Sequence, residues 1–110
     1  MTIDALRACG VNVEEGLGRC MNNEAFYLRL AGMALADGNF DKLAQAVEKG
    51  NYKEAFEAAH ALKGVTGNLS LTPVYEPVCE ITELLRAGTE KDCSELLGKI
   101  LEAREKLRAL

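Results

Sequence analysis

Residues 51–70 read NYKEAFEAAHALKGVTGNLS and predict one long α-helix from residue 52 to about residue 69. Asn51 suits the N-cap position, because its side chain can accept a hydrogen bond from a backbone N–H of the first turn. At about 100° per residue, small and apolar residues fall on one stripe of this helix. The stripe, which we expect to face a helical core, consists of Ala55, Ala59, Leu62, Thr66 and Leu69.

The rest of the chain also repeats apolar residues at three- and four-residue steps, and no convincing stretch has the two-residue period of a strand. Further helices are predicted at residues 3–9, 13–20, 24–36, 39–50 and 72–86, and from about Glu90 to the C-terminus. Short connections favour antiparallel neighbours. The predicted fold class is therefore all-α, an up-and-down four-helix bundle with extra short N-terminal helices. A chain of 110 residues fits one domain, residues 1–110.

Some packing details also follow from the pattern. Asn12 and Asn23 should cap the helices that follow them. Pro77 should kink the helix 72–86 or delay its start. The helix 24–36 should bury Phe26, Leu30, Met33 and Ala34. Core candidates in the last helix are Leu96, Leu97, Ile100, Leu101 and Leu107.

His60 lies outside the apolar stripe of the helix 52–69, so we expect it to face solvent. Gly64 and Gly67 lie near it, although a glycine inside a helix costs on the order of 1 kcal/mol relative to alanine. They would leave a bare patch that a phosphoryl group or another protein can approach, or they would permit close helix packing. Lys63 would add a positive charge. A nucleophile, open space and a cation thus converge, although a lone helical histidine is more often an ordinary surface residue.

The composition argues against several functions. The net charge of −4 comes from 17 acidic and 13 basic residues that are interspersed, so nucleic acid is not an expected partner. The chain lacks an apolar run long enough for a membrane span and an N-terminal secretion signal, which favours the cytoplasm. Four cysteines and one histidine show no metal-ligand spacing, so no metal or cofactor is expected, and the cysteines are interpreted as reduced, mostly buried thiols. No glycine-rich nucleotide loop occurs, so an ATP-dependent kinase is not expected.

The sequence HALKG at residues 60–64, with AA before it and GNL at 67–69, resembles the H-x-L-K-G signature of histidine-containing phosphotransfer (HPt) domains. The upstream segment VNVEEGL at residues 11–17, followed by FY at 26–27, resembles the usual opening of that family. The resemblance covers nearly the whole chain and is strongest between about residues 50 and 71. It implies a helical bundle that exchanges phosphoryl groups with the receiver domains of response regulators or hybrid histidine kinases.

On this resemblance His60 would accept a phosphoryl group from a receiver aspartate and pass it to another receiver. Lys63 would steady the phosphoryl group, and Gly64 and Gly67 would give the receiver room to dock. A transient, modest interface is expected, because a relay must release each partner. A monomer is expected. Further docking candidates are Phe56, one turn before the histidine, and Leu71.

Two positions depart from the family pattern. Ser70 stands where members often have a glycine ten residues after the histidine, so the helix could end differently. Many members also have a glutamine on the next helix, and this chain has none after His60. Thr82, Glu80 and Glu83 are nearby candidates for that role, but none is assigned to it.

Other functions stay open. A helical interaction or scaffold domain would make His60 incidental. The phosphotransfer domain of a chemotaxis-type kinase would receive its phosphate from an ATP-binding domain; a start at methionine and an end in the last helix favour a free-standing carrier instead. A hydrolytic or redox enzyme that uses a cysteine is disfavoured, because histidine partners are scarce.

Overall fold

The computed structural model describes residues 1–88 and 92–110, and these residues form seven α-helices and no strand. The all-α prediction is confirmed. The predicted start of the last helix near Glu90 lies outside the described residues. The helices are α1 (Ile3–Ala8), α2 (Val13–Arg19), α3 (Glu24–Leu35), α4 (Asn39–Glu48), α5 (Tyr52–Asn68), α6 (Thr72–Arg86) and α7 (Ser94–Arg108).

Three asparagine caps set where helices begin. The side-chain oxygens of Asn12, Asn23 and Asn51 each accept a hydrogen bond from a backbone N–H three residues later, at 3.3, 3.0 and 3.2 Å. These bonds satisfy donors that have no partner within the helix. The predicted caps are confirmed, so local sequence is sufficient to place the starts of α2, α3 and α5.

Helices α4 to α7 pack in sequence order, and α4 also contacts α7, which closes a four-helix arrangement. The connections from α4 to α5 and from α5 to α6 span only residues 49–51 and 69–71, so neighbouring helices reverse direction. Helices α1 and α2 contact each other, α2 contacts α3, and α3 contacts α7. The buried apolar residues form one cluster to which every one of these helices contributes. That the chain is one domain stays a prediction.

The core stripe of α5 is confirmed, because Ala55, Ala59, Leu62 and Thr66 are fully buried and Leu69 is nearly so. In α7, Ile100 and Leu107 are buried as predicted. The other three candidates of α7 are only partly buried against the core: Leu96, Leu97 and Leu101.

The prediction for α3 was wrong in its rotation about the helix axis. Phe26 and Met33 are 46% and 62% exposed, and Leu30 is only partly buried. The buried stripe is shifted by one residue and contains Tyr27, Ala31, Ala34 and Leu35, so only Ala34 was assigned correctly. Helix α3 is apolar on most sides, so tertiary contacts choose the face. On the buried face, the hydroxyl of Tyr27 donates a hydrogen bond to the Leu69 carbonyl at 2.7 Å.

Helix α6 begins at Thr72 with a proline in its first turn, as predicted. Pro77 lies inside α6, which stays helical through it, so the predicted delay of the start was wrong. Cys20 and Cys93 are buried, Cys79 is partly buried and Cys9 is exposed. The prediction that the cysteines are mostly buried is therefore confirmed for only two of the four.

Across residues 1–88 and 92–110, no helix has both the length and the apolar character needed to cross a membrane. Within the same ranges no group of three or more histidine, cysteine, aspartate or glutamate side chains is arranged to hold a metal ion.

Candidate functional site

An open pocket of about 450 Å³ lies on the solvent side of α5. Because helix periodicity places residues three and four apart on one face, His60, Lys63, Gly64 and Gly67 all border it. The structure therefore brings the four predicted site residues together. The full lining, which adds residues from α2 and α6, is Arg19, His60, Lys63, Gly64, Gly67, Asn68 and Tyr75.

The His60 side chain is exposed and rests against an aromatic neighbour. The Phe56 ring lies four residues earlier on α5 and stacks on the imidazole, with centroids 5.8 Å apart and ring planes at 21°. The Arg86 guanidinium also lies 5.4 Å from the Phe56 centroid, in a cation–π contact. Stacking limits the rotation of the imidazole, while the pocket leaves it accessible.

The two glycines of the site have different surroundings. A Cβ atom added at Gly64 would meet no atom within 4 Å, so this position opens to solvent. A Cβ atom added at Gly67 would lie 2.8 Å from Cε1 of the Tyr75 ring. Gly67 thus permits close packing of α5 against α6, which was the alternative interpretation of a glycine in this helix. Only Gly64 leaves space that is empty in the structure.

The two predicted docking residues also differ. Phe56 is partly buried and keeps some exposed surface next to His60. Leu71 is fully buried in the core. A side chain without exposed surface cannot contact a partner, so the assignment of Leu71 to docking was wrong.

Helix α5 ends in a Schellman motif next to the pocket. The Leu71 N–H donates to the Thr66 carbonyl at 3.0 Å and the Ser70 N–H donates to the Gly67 carbonyl at 3.1 Å. Ser70 has a φ of 54°, in the left-handed region that glycine adopts without strain. The helix therefore ends with the backbone conformation that a glycine would favour, although serine occupies the position.

The Ser70 hydroxyl belongs to a polar cluster that joins α2 to this helix end. Nη1 of Arg19 donates to the carbonyl oxygens of Gly67 and Asn68, at 2.7 and 3.2 Å, and to the Ser70 hydroxyl at 3.1 Å. Nη2 of Arg19 donates to Glu15 at 2.7 Å, and the Ser70 hydroxyl donates to the same carboxylate oxygen at 3.0 Å. These bonds hold the guanidinium at the border of the pocket.

Sequence reasoning missed three residues of the lining, namely Arg19, Asn68 and Tyr75. Asn68 is detectable in principle, since it lies eight residues after His60 on the same helix. Arg19 and Tyr75 come from other helices, and no sequence spacing relates them to the histidine. Only the packing of α2 and α6 against α5 brings them to the pocket.

Tyr75 is the residue of α6 that borders the pocket. The three residues considered in place of the family's glutamine do not border it. Thr82 is fully buried and its hydroxyl donates to the Val78 carbonyl at 2.6 Å. Glu80 and Glu83 are exposed and do not line the pocket. A side-chain hydrogen bond with the thiol of the nearby cysteine on α6 raises the pKa of Tyr75.

Comparisons with known proteins add the family. The family model of the Hpt domain matches residues 33–110, from the last turn of α3 to the end of the chain. The matched stretch includes His60. Neither a curated protein nor a solved structure gives a significant match. Residues 1–32 lie outside the matched stretch, so the resemblance of residues 11–17 to a family opening stays a prediction. Since the matched stretch covers well over half of the chain, the protein belongs to the Hpt domain family.

Proposed function

We propose that this protein is a phosphoryl carrier of a multistep phosphorelay, which accepts a phosphoryl group on His60 from a receiver aspartate and passes it to a second receiver. Hpt domains act in phosphotransfer during two-component signalling and interact with receiver domains, which supports the general role. The observation that carries the proposal is the exposed imidazole of the only histidine in the chain, which borders an open pocket together with Lys63 and Gly64.

The reaction needs little from the carrier itself. An unprotonated nitrogen of His60 attacks the phosphorus of the aspartyl phosphate, a P–N bond forms, and the P–O bond to the carboxylate breaks. The aspartate leaves as a carboxylate, and the imidazole releases its surplus proton to solvent. Transfer to the second receiver reverses these steps with that protein's carboxylate as the nucleophile. Phosphoryl transfer depends mainly on in-line positioning and charge stabilisation, most of which the receiver would supply.

The residues around His60 would contribute position, charge and space. Phe56 would hold the imidazole through stacking, so that less rotational freedom is lost when the receiver binds. Lys63 would stabilise the negative charge on the phosphoryl oxygens as a flexible point charge. Gly64 would let the rim of the receiver approach, since the space beside it is empty.

A receiver would also need apolar surface next to the pocket, and α3 offers it. A groove between α3 and α5 is lined mainly by apolar side chains, including Leu30, Met33 and Val65. Asn68 lines both this groove and the His60 pocket, so the two surfaces are continuous. Phe26 lies one turn before Leu30 on α3 and is 46% exposed. We assign this face to receiver docking, in place of the buried Leu71.

The proposal is tested by incubating the protein with a receiver domain that has been charged with labelled acetyl phosphate. Wild type should gain a label that is stable in alkali and lost in acid, as expected of a phosphoramidate, while the receiver loses its label. His60→Gln should gain none, and no other histidine can substitute for it. Equal labelling of this variant and wild type would show that His60 is not the acceptor.

The proposal also includes a cytoplasmic monomer. Sedimentation of the purified protein at micromolar concentration should give a mass near the chain mass of 11.9 kDa. A stable dimer would contradict the monomer.

A further inference from the structure

We propose that Arg19 is a second cationic residue of the His60 pocket and stabilises the dianionic phosphoryl group carried on His60. The inference rests on the proposed function, because it concerns the phosphorylated form of that histidine. Arg19 belongs to α2 and lies outside the stretch that matches the family model, which begins at residue 33. It would be a contribution of the N-terminal helices of this chain to the site.

The guanidinium of Arg19 is held in place before any anion arrives. It donates to three oxygens at the end of α5 and to one oxygen of Glu15, while the side chain stays 48% exposed. Fixing a long side chain costs up to about 2 kcal/mol of conformational entropy, and here the fold has already met most of that cost. Lys63 has no hydrogen bond or ion pair within residues 1–88 and 92–110, so the two cations of the pocket differ in rigidity.

Arg19 also retains donors for an anion. A guanidinium carries five N–H groups, and the observed bonds use the two on Nη1 and one on Nη2. Among the described residues, Nε and the second N–H of Nη2 have no hydrogen-bond partner. Because Arg19 borders the pocket that contains His60, these two groups are the donors from which a phosphoryl oxygen, or a water molecule bound to it, could accept.

The location at the end of α5 gives Arg19 a second effect on an anion. The last carbonyl groups of a helix form the negative end of its dipole and disfavour negative charge nearby. Gly67 and Asn68 both line the pocket, and their carbonyl oxygens are the ones that Arg19 covers. Removal of Arg19 would take away a positive charge and also uncover two partial negative charges. Both changes disfavour a dianion on His60.

Other charged and titratable groups near the pocket determine how large the effect is. Glu15 pairs with Arg19 and offsets part of its charge. Lys63 supplies the other positive charge, and Tyr75 from α6 contributes a phenol. Arg86 contacts the Phe56 ring, which stacks on the imidazole. Because these groups remain in an Arg19 variant, the difference from wild type reports on Arg19.

The test loads the folded protein with phosphoramidate, a small donor that phosphorylates histidine without a receiver, and follows the 31P chemical shift against pH. Neutralising Arg19 in Arg19→Gln should raise the pKa of the phosphoryl group by roughly 0.3 to 1 unit, which is the scale of one nearby, partly solvated charge. Arg7→Gln is the matched control, because Arg7 is 49% exposed, pairs with two carboxylates and lies outside the pocket. This control should leave the phosphoryl pKa unchanged.

A second variant gives a shift of opposite sign and does not depend on the folding of the first. Glu15→Gln removes the charge that offsets Arg19 and keeps an acceptor for its N–H group, so the phosphoryl pKa should fall. A purely structural role for Arg19 would lower the unfolding temperature of Arg19→Gln without moving the phosphoryl pKa. Unchanged values in both variants would overturn the inference.

The same measurements distinguish a failure of the proposed function from a failure of the role of Arg19. If wild type gained no more 31P signal than His60→Gln, the proposed function would fail first. If wild type were phosphorylated but neither Arg19→Gln nor Glu15→Gln moved the phosphoryl pKa, only the role of Arg19 would fail.

Discussion

The two glycines of α5 should respond in opposite ways to the same substitution. Gly64→Ala adds a methyl group to open space, whereas Gly67→Ala places one 2.8 Å from the Tyr75 ring. Both positions lie inside α5 and have ordinary helical φ values, so the change in helix propensity is similar for the two. The difference between the variants therefore measures the contact with Tyr75.

The expected size follows from two opposing effects. Alanine favours a helix interior over glycine by about 1 kcal/mol, so Gly64→Ala should raise the free energy of unfolding by that amount. At Gly67 the same gain is opposed by overpacking, which costs about 1–3 kcal/mol. Because the Tyr75 ring is partly exposed, it can move aside, and we expect a net loss of about 1 kcal/mol. The two variants should differ by roughly 2 kcal/mol, or on the order of 6–12 °C in unfolding temperature.

Urea and thermal unfolding, followed by far-UV circular dichroism, would measure both effects. A Tyr75→Ala background supplies the control, because without the ring Gly67→Ala should become as stabilising as Gly64→Ala. If Gly67→Ala stabilised the protein while Tyr75 was present, the ring would not lie against Gly67, and the assignment of this glycine to helix packing would be refuted.

Three further outcomes are expected. Lys63→Gln should slow phosphoryl transfer to His60 about tenfold, equivalent to about 1.4 kcal/mol of charge stabilisation. The control is Lys53→Gln, which changes a lysine of the same helix outside the pocket and should leave the rate unchanged. Met33→Asp should slow transfer from a charged receiver but not labelling by phosphoramidate, because it alters the docking groove only; equal slowing of both would contradict that assignment. Burial raises the pKa of Tyr27 to about 12. The protonated phenol therefore contributes fully to the free energy of unfolding below pH 10, and this free energy should fall by about 1.4 kcal/mol per pH unit between pH 10 and 12. Tyr27→Phe should lack this fall when urea unfolding is measured against pH.

Sequence was sufficient for features that depend on neighbours along the chain. Helix starts followed from the asparagine caps, whose bonds span three residues. The buried stripe of α5 followed from its periodicity, since small and apolar residues on one side leave a single face that can join a core. The same periodicity predicted that His60, Lys63 and Gly64 share the outer face, and all three border one pocket.

Only the tertiary structure decided features that depend on residues distant in sequence. Helix α3 is apolar on most sides, so its own pattern did not fix its rotation; in the structure Tyr27 faces the core, where its hydroxyl donates to the carbonyl of Leu69. Gly64 and Gly67 look alike in the sequence, and the ring of Tyr75 from α6 alone gives them different surroundings.

Arg19 shows most clearly which features only tertiary packing decides. No sequence spacing relates it to His60, but packing of α2 brings it to the end of α5 and to the border of the His60 pocket. Hydrogen bonding within a helix is local, so the sequence by itself determined the helices and the motif. The sides on which helices meet, and the charges that gather there, depend on side-chain complementarity across the whole chain, which arises only when the helices pack.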